Sequence, residues 1–272
     1  MKQAIEGLEP HLLWEHFYQL SQIPRCSKHE EKARDYVIDV AKRNHLEYKT
    51  DSVGNVVVKL PATPGKENAP VVVLQSHLDM VCEKNKDVAH DFSKDPIELV
   101  RDGEWITANG TTLGADNGIG VAAMLAVMES KEVEHGPLEL LFTIDEETGL
   151  TGASGLDEHM LEGRTLLNLD SEEDGVIYIG CAGGRDTEFF LKKDTEAILD
   201  GFVPVKILVT GLQGGHSGLN IHEGRGNAIK LLNRLLWNLR KEVDFQLGEM
   251  DGGNKHNAIP RECDAIIFVA SN

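Results

Sequence analysis

The apolar positions of this chain follow two patterns, short dense runs and stripes at helical spacing. Densely apolar runs at 56–60, 71–75, 138–144 and 165–169 predict strands buried on both faces, because a strand with one wet face would alternate. Between them lie the stripes. Leu13, Phe17 and Leu20 share one face of a helix that Pro10 opens and Pro24 closes. Tyr36, Val37 and Val40 mark a second helix behind Ser27 and Glu30, which have the spacing of a capping box. A third, alanine-rich helix is predicted over 119–128, after the tight turn from Gly114 to Gly118. Buried strands alternating with helices predict an α/β sandwich with a mostly parallel sheet.

Weaker patterns fill the rest. Residues 61–70 read as a surface loop and 81–95 as polar, irregular chain, while Asp102 and Gly103 mark a turn between strands at 97–100 and 105–107. After Asp170 the character changes. Gly180, Gly183 and Gly184 precede alternating strands at 187–191 and 203–209, a helix over 227–240 and a strand over 265–269. The expected division is a first domain over 1–186 and an α+β module over 187–272.

Charge narrows the partners. Forty-five acidic against 27 basic residues give a formal net charge of −18, which argues against nucleic acid, since neutralising phosphates needs clustered Lys and Arg. No apolar run approaches the roughly 20 residues of a membrane-spanning helix, and the N-terminus carries charges through its apolar positions, unlike a signal peptide. No membrane partner is expected. Cys26, Cys82, Cys181 and Cys263 lie without ribbon or framework spacing, so neither a zinc ribbon nor a disulfide framework is expected, and a reducing cytoplasm is the expected compartment.

The candidate chemistry sits where strands end. His77 and Asp79 follow the run at 71–75, Glu146 and Glu147 follow 138–144, and Asp170 follows 165–169, at the carboxyl ends where open α/β sheets bind ligands. Asp116 sits in the glycine turn. Each alone reads as a surface or structural residue. Gathered together, these carboxylates repel unless cations compensate. One imidazole among carboxylates suits zinc, manganese or cobalt, and shared carboxylates suit a pair of ions.

These residues also fall into longer strings: H-x-D at His77 to Asp79, G-A-D-N-G at Gly114 to Gly118, T-x-x-E-E-x-G at Thr143 to Gly149, and N-x-D at Asn168 to Asp170. In them the chain resembles the di-metal aminopeptidase and dipeptidase superfamily, and within it the bacterial aminoacyl-histidine dipeptidases. QSHLDMV, GTTLGADNGIG, CAGG, GGHSG and NAIPRE spread the likeness over almost the whole length. The resemblance implies a zinc-peptidase-like catalytic domain and a lid domain that forms a homodimer. It further implies two divalent ions, zinc ahead of manganese or cobalt, and hydrolysis of dipeptides, Xaa-His among them. His77 and Asp170 would hold one ion and Glu147 the other, with Asp116 bridging. Glu146 would be the general base for a bridging water, and Asp79 would orient His77. The Asp116–Asn117 peptide is expected to be cis. His216 and Asn257 are expected to touch substrate, His216 from a flexible loop and, in many relatives, from a partner subunit.

Other residues are set aside. His11, His16 and His29 read as surface or structural, Asp145 lies outside the motif, Glu172, Glu173 and Asp174 read as a solvated turn, and nothing marks Cys181 as a nucleophile. Members of the superfamily continue beyond residue 272, and their last metal-binding histidine and their arginine for the substrate carboxylate have no counterpart here. The expectation is therefore a C-terminally truncated chain, with an incomplete lid and a second ion short of a ligand. Two alternatives stand beside dipeptide hydrolysis. One is deacylation of N-acyl amino acids by the same motif. The other is a non-catalytic binding or assembly module that uses GGHSG and the helix near Leu231, Leu232 and Leu235.

Overall fold

The computed structural model describes residues 2–271 apart from 86, 87, 172, 174, 182, 184–186, 254 and 256. Two compact units emerge, Met1–Ala182 and Gly183–Asn272.

The first unit runs α1 (His11–Ser21), α2 (Glu31–Arg43), β1 (Glu47–Thr50), β2 (Val56–Leu60), β3 (Val72–His77), β4 (Leu99–Asp102), β5 (Trp105–Ala108), α3 (Ala115–Glu129), β6 (Leu138–Thr143), α4 (Thr151–Ser154) and β7 (Thr165–Asn168). Its main sheet has the order β1-β2-β6-β3-β7. β3 pairs in parallel with β6 and β7, whereas β2 is antiparallel to both β1 and β6. β2 alone is therefore reversed, and the sheet is mainly parallel. The runs that became β2, β3 and β6 follow from cover on two sides. β7, expected to be buried, is instead exposed along its length, with Leu166 and Leu167 each 50% exposed, because it is an edge strand that pairs only with β3 among the described residues. Val56, Val58, Leu140 and Phe142 pack with Phe17, Leu20, Val37, Val40 and Leu125, while Val57, Val73 and Leu141 pack with Met160. Each such side chain contributes about 1.5–3 kcal/mol relative to leaving it exposed.

α3 approaches the end of β3 closely. A Cβ at Gly120 would lie 2.5 Å from Ser76 Oγ and 3.0 Å from the Leu169 carbonyl, so only glycine lets the helix backbone reach this point. The hairpin of β4 and β5 pairs as its turn residues predict, with Asp102 opposite Trp105.

Two expectations are corrected here. Glu30, not Ser27, occupies the N-cap of α2, and no side chain caps that helix. Ser27 Oγ donates instead to Asp79 Oδ2 at 2.7 Å, because a bond to a buried carboxylate is stronger than one to a neutral amide. Cys26 and Cys82 are joined by a disulfide across 56 residues, with Cα atoms 5.7 Å apart. Sequence spacing gave no sign of it, since the pairing depends on residue 26 bridging to Met80 in space and not on distance along the chain.

The second unit contains β8 (Phe202–Val209), α5 (Ala228–Leu239), β9 (Phe245–Gly252) and β10 (Cys263–Ala270). They form an antiparallel sheet of order β8-β10-β9. Asn227 caps α5, its side chain accepting from the Lys230 N–H at 3.1 Å. Ala228, Leu232 and Leu236 then pack against Cys263, Ala265 and Ile267. The strand expected at 187–191 does not form. Its alternating pattern is present, but no strand pairs with it among the described residues, and Phe189 and Phe190 stay 90% and 91% exposed. An unpaired strand leaves its ladder groups unsatisfied and gains nothing from the conformation.

Candidate metal centre

β3 ends on His77, and the chain continues through Leu78 to Asp79, all fully buried. A polar pair in that position needs partners, and each has them. Asp79 Oδ1 lies 3.2 Å from His77 Nδ1 and accepts the Glu146 N–H at 3.0 Å. Oδ2 accepts from Ser27 Oγ at 2.7 Å and from the Glu147 N–H at 3.2 Å. Burial disfavours charge on Asp79, but the bonds from His77, the Glu146 amide, Ser27 and the Glu147 amide outweigh it and hold the carboxyl at about 2.

On the other edge of the ring, His77 Nε2 lies 2.9 Å from Asp116 Oδ1 and 3.5 Å from Asp170 Oδ1. Burial opposes protonation of the imidazole, yet Asp170 and Asp79 override it and raise His77 to about 11. Asp116 reaches this point through the glycine turn. Gly114 adopts a left-handed φ of 70°, Asp116 and Asn117 depart from helical geometry at the start of α3, and the peptide between them is cis, as expected. Asn117 Nδ2 donates to Asp170 Oδ1 at 2.6 Å, which fixes Asp170 beside Asp116 on the Nε2 side of the ring.

Glu146 and Glu147 leave β6 on a loop that buried polar groups hold. Asp145 is 2% exposed with a φ of 46°, and it accepts from the Thr148 and Thr151 hydroxyls. Its N–H donates to Glu30 Oε1 at 2.7 Å. Among the described residues, two groups bring their ligand atoms within 4.8 Å of one another: His77, Asp116 and Asp170, and His77, Glu146 and Glu147. Burial, then the neighbouring Asp116, raises Glu147 to about 7. Burial leads in raising Glu146 and Asp116 as well, with Asp170 adding to both. Proton affinity raised by crowded carboxylates is what a cation would relieve. The donors are one imidazole and four carboxylates, without a thiolate, and that set fits zinc, manganese or cobalt.

The structure thus gathers His77, Asp79, Asp116, Glu146, Glu147 and Asp170. His216 and Asn257 belong to the second unit, where both are exposed. They lie on two separate connections, one after β8 and one between β9 and β10, which hydrogen bonds join. His216 Nδ1 accepts from the Gly218 and Leu219 N–H groups at 3.0 and 3.1 Å, and the Ser217 N–H donates to the Asn257 carbonyl at 2.8 Å. A neutral His216 therefore carries its proton on Nε2. Sequence reasoning missed Arg25, Ser27 and Glu30, and it set Asp145 aside. Ser27 and Glu30 did carry a signal, but the capping-box reading absorbed it. His16 is buried and bonded to the Tyr36 hydroxyl at 2.8 Å, a structural role. Of the acidic run, Glu172 and Asp174 lie outside the described residues, as does Gly184, while Glu173 is exposed.

Residues 73–221, more than half of the chain, match peptidase family M20/M25/M40. The chain belongs to that family. Residues 207–272 match the peptidase dimerisation domain. Among M20/M25/M40 relatives, the chain is 51% identical over 268 residues to the cytosol non-specific dipeptidase of Escherichia coli (strain K12), covering 98% of this chain and 55% of that protein. The crystal structure of aminoacylhistidine dipeptidase from Vibrio alginolyticus superposes with a TM-score of 0.71 at 48% identity, over 98% of this chain and 54% of that one. Aminopeptidase PepT from Bacillus cereus shares the fold, with a TM-score of 0.52 at 21% identity over 96% of this chain and 67% of that one. The chain spans about half the length of the E. coli and V. alginolyticus relatives. Among the described residues, no helix is long and apolar enough to cross a membrane.

Proposed function

We propose that the first unit holds a two-cation centre that hydrolyses dipeptides, Xaa-His among them. The observation that carries this is the meeting of His77 with two separate carboxylate groups, Asp116 with Asp170 and Glu146 with Glu147. His77 and Asp170 would hold one cation and Glu147 the other, with Asp116 shared. Zinc suits this set first, and manganese or cobalt are admitted by the same donors. Bound there, the cations would supply Lewis acidity for the scissile carbonyl and acidify the attacking water.

The residues themselves do the rest. Glu146 takes the proton of the water and returns it to the leaving amine, a task suited to a carboxyl whose proton affinity burial has raised. Asp79 accepts four hydrogen bonds, which uses its acceptor capacity. It therefore serves as the orienting partner of His77 and not as a ligand. His216, with its proton on Nε2, offers a donor to the substrate carbonyl or carboxylate, and Asn257 lies on the neighbouring connection between β9 and β10, its carbonyl accepting the Ser217 N–H at 2.8 Å.

The second unit is the lid and dimerisation module of this reading, and the dimerisation-domain match supports a homodimer. The name of the E. coli relative supports a cytoplasmic location. The Cys26–Cys82 disulfide pulls the other way, since cytosolic thiols are usually kept reduced. Trapping of free thiols in intact cells decides between them.

The test is release of free amino acids from a dipeptide panel by the chelated chain and by the chain with zinc, manganese or cobalt added back. N-acyl amino acids run beside them. Metal-dependent release from dipeptides is expected. Release from N-acyl amino acids alone would turn the reading to a deacylase, and none from either, with cations bound, would make the chain a binding module.

A further inference from the structure

Arg25 is 3% exposed and belongs to no ion pair among the described residues. Its Nη1 donates to the Leu78 and Asp79 carbonyls, each at 3.0 Å, and its Nη2 donates to the Gly114 carbonyl. Nε is buried without a hydrogen-bond partner among the described residues. A buried guanidinium held by carbonyls alone is an expensive way to fill space, because an apolar side chain of similar size would avoid the desolvation of the charge. Burial lowers the Arg25 pKa to about 10, with Asp79, Asp116 and Glu147 pulling back against it. The head therefore stays charged.

Its three acceptors come from the two segments that must meet. Leu78 and Asp79 directly follow His77, and Gly114 lies two residues before Asp116. The socket is close around the head: a Cβ at Gly114 or at Gly118 would fall 2.6 Å from Nη2. The main chain of Arg25 adds to the tie, its carbonyl accepting the Met80 N–H at 3.1 Å. Arg's planar fork can hold several carbonyls in fixed relation, which a flexible ammonium does poorly.

We propose that Arg25 is a positioning residue for the cation centre, locking the strand end that carries His77 to the turn that carries Asp116. This rests on the two-cation reading above. Arg25 touches no reacting atom in this role. It sets the separation between an imidazole and a carboxylate on different elements, so that both face one cation without rearrangement. Removing such outer support typically costs about 10–100-fold in metal affinity.

Arg25→Met and Arg25→Lys in the full chain test it, with Co²⁺ titrations of the chelated proteins followed by visible absorption, and unfolding of the metal-free proteins measured in parallel. Both variants are expected to lose at least about tenfold in Co²⁺ affinity and to show an altered absorption band. A purely structural role would lower metal-free stability but leave affinity and band as in the parent, and affinities within twofold would overturn the proposal. Retention by Arg25→Lys with loss in Arg25→Met would also overturn it, because charge and not geometry would then be what matters. Should Arg25→Met fail to fold, the cobalt band and affinity of Arg25→Lys decide alone. A parent chain that binds no Co²⁺ would remove the two-cation reading, and this proposal with it. Parent binding with unchanged variants removes the role of Arg25 alone.

Discussion

Ser27 Oγ donates to Asp79 Oδ2 at 2.7 Å, from a residue three positions before the N-cap of α2. The bond connects the approach to a helix with the carboxylate that lies 3.2 Å from His77 Nδ1. Ser27→Ala is expected to cost about 1.5–3 kcal/mol, the range for a hydrogen bond to a charged group. Helical content should stay unchanged, since Ser27 caps nothing. Circular dichroism and thermal unfolding check both, and a loss of helix without loss of metal affinity would restore the capping role.

Glu146→Gln keeps the shape of the site and removes the carboxylate proposed above as the proton acceptor. Hydrolysis is expected to fall by about 10²–10⁴-fold, with Co²⁺ still bound. Undiminished turnover would sink the assignment of Glu146 as base.

The raised carboxyls set a pH dependence for the metal-free chain. Burial and the neighbouring Asp116 raise Glu147 from the ordinary 4.5 to about 7, so between these values the folded state holds a proton that the unfolded state has released. Stability therefore falls as pH rises from 4.5 to about 7. Glu146 and Asp116 act with the same sign. Asp79, held near 2, contributes fully above 3.8 and adds no slope in this window. His77, raised to about 11, keeps its contribution below 6.5 and loses it above. Unfolding temperatures of the chelated protein should decline across the window, and Glu147→Gln should flatten the decline. Cations compete with these protons, so Co²⁺ affinity should rise over the same range.

The Cys26–Cys82 disulfide closes a loop of 56 residues. Loop-closure entropy assigns such a crosslink about 4 kcal/mol. Cys26→Ser with Cys82→Ser is expected to lower denaturant stability by an amount of that order, and a reductant should reproduce the effect in the parent but not in the double variant. Equal stability in all four samples would show that the bond contributes nothing.

Phe142→Ala tests the core beneath the site. Phe142 is fully buried between sheet and helices, and such truncations cost about 3–5 kcal/mol. Chemical denaturation reads it directly, and a cost below 1 kcal/mol would mean that the cluster can collapse around the gap.

The sequence was most legible where one local pattern had one physical cause. The runs at 56–60 and 138–144 became β2 (Val56–Leu60) and β6 (Leu138–Thr143) because their side chains are covered on both faces. The strand-end acids converged because parallel neighbours share a carboxyl end. Legibility failed where partners lie far apart in the chain. Arg25 meets Asp79 and Gly114 across 54 and 89 residues, and no local spacing encodes that. β9 (Phe245–Gly252) was missed because Gly248, Glu249 and Asp251 weaken its apolar signal, and pairing with β10 supplies what propensity does not. The strand expected at 187–191 shows the converse, pattern without partner.

Asp79 accepts from the imidazole of His77 and from the amides of both Glu146 and Glu147. One buried carboxylate is thus a common pivot for residues that belong to two ligand groups. A shift of that pivot moves the imidazole on one side and the glutamate backbone on the other, in concert.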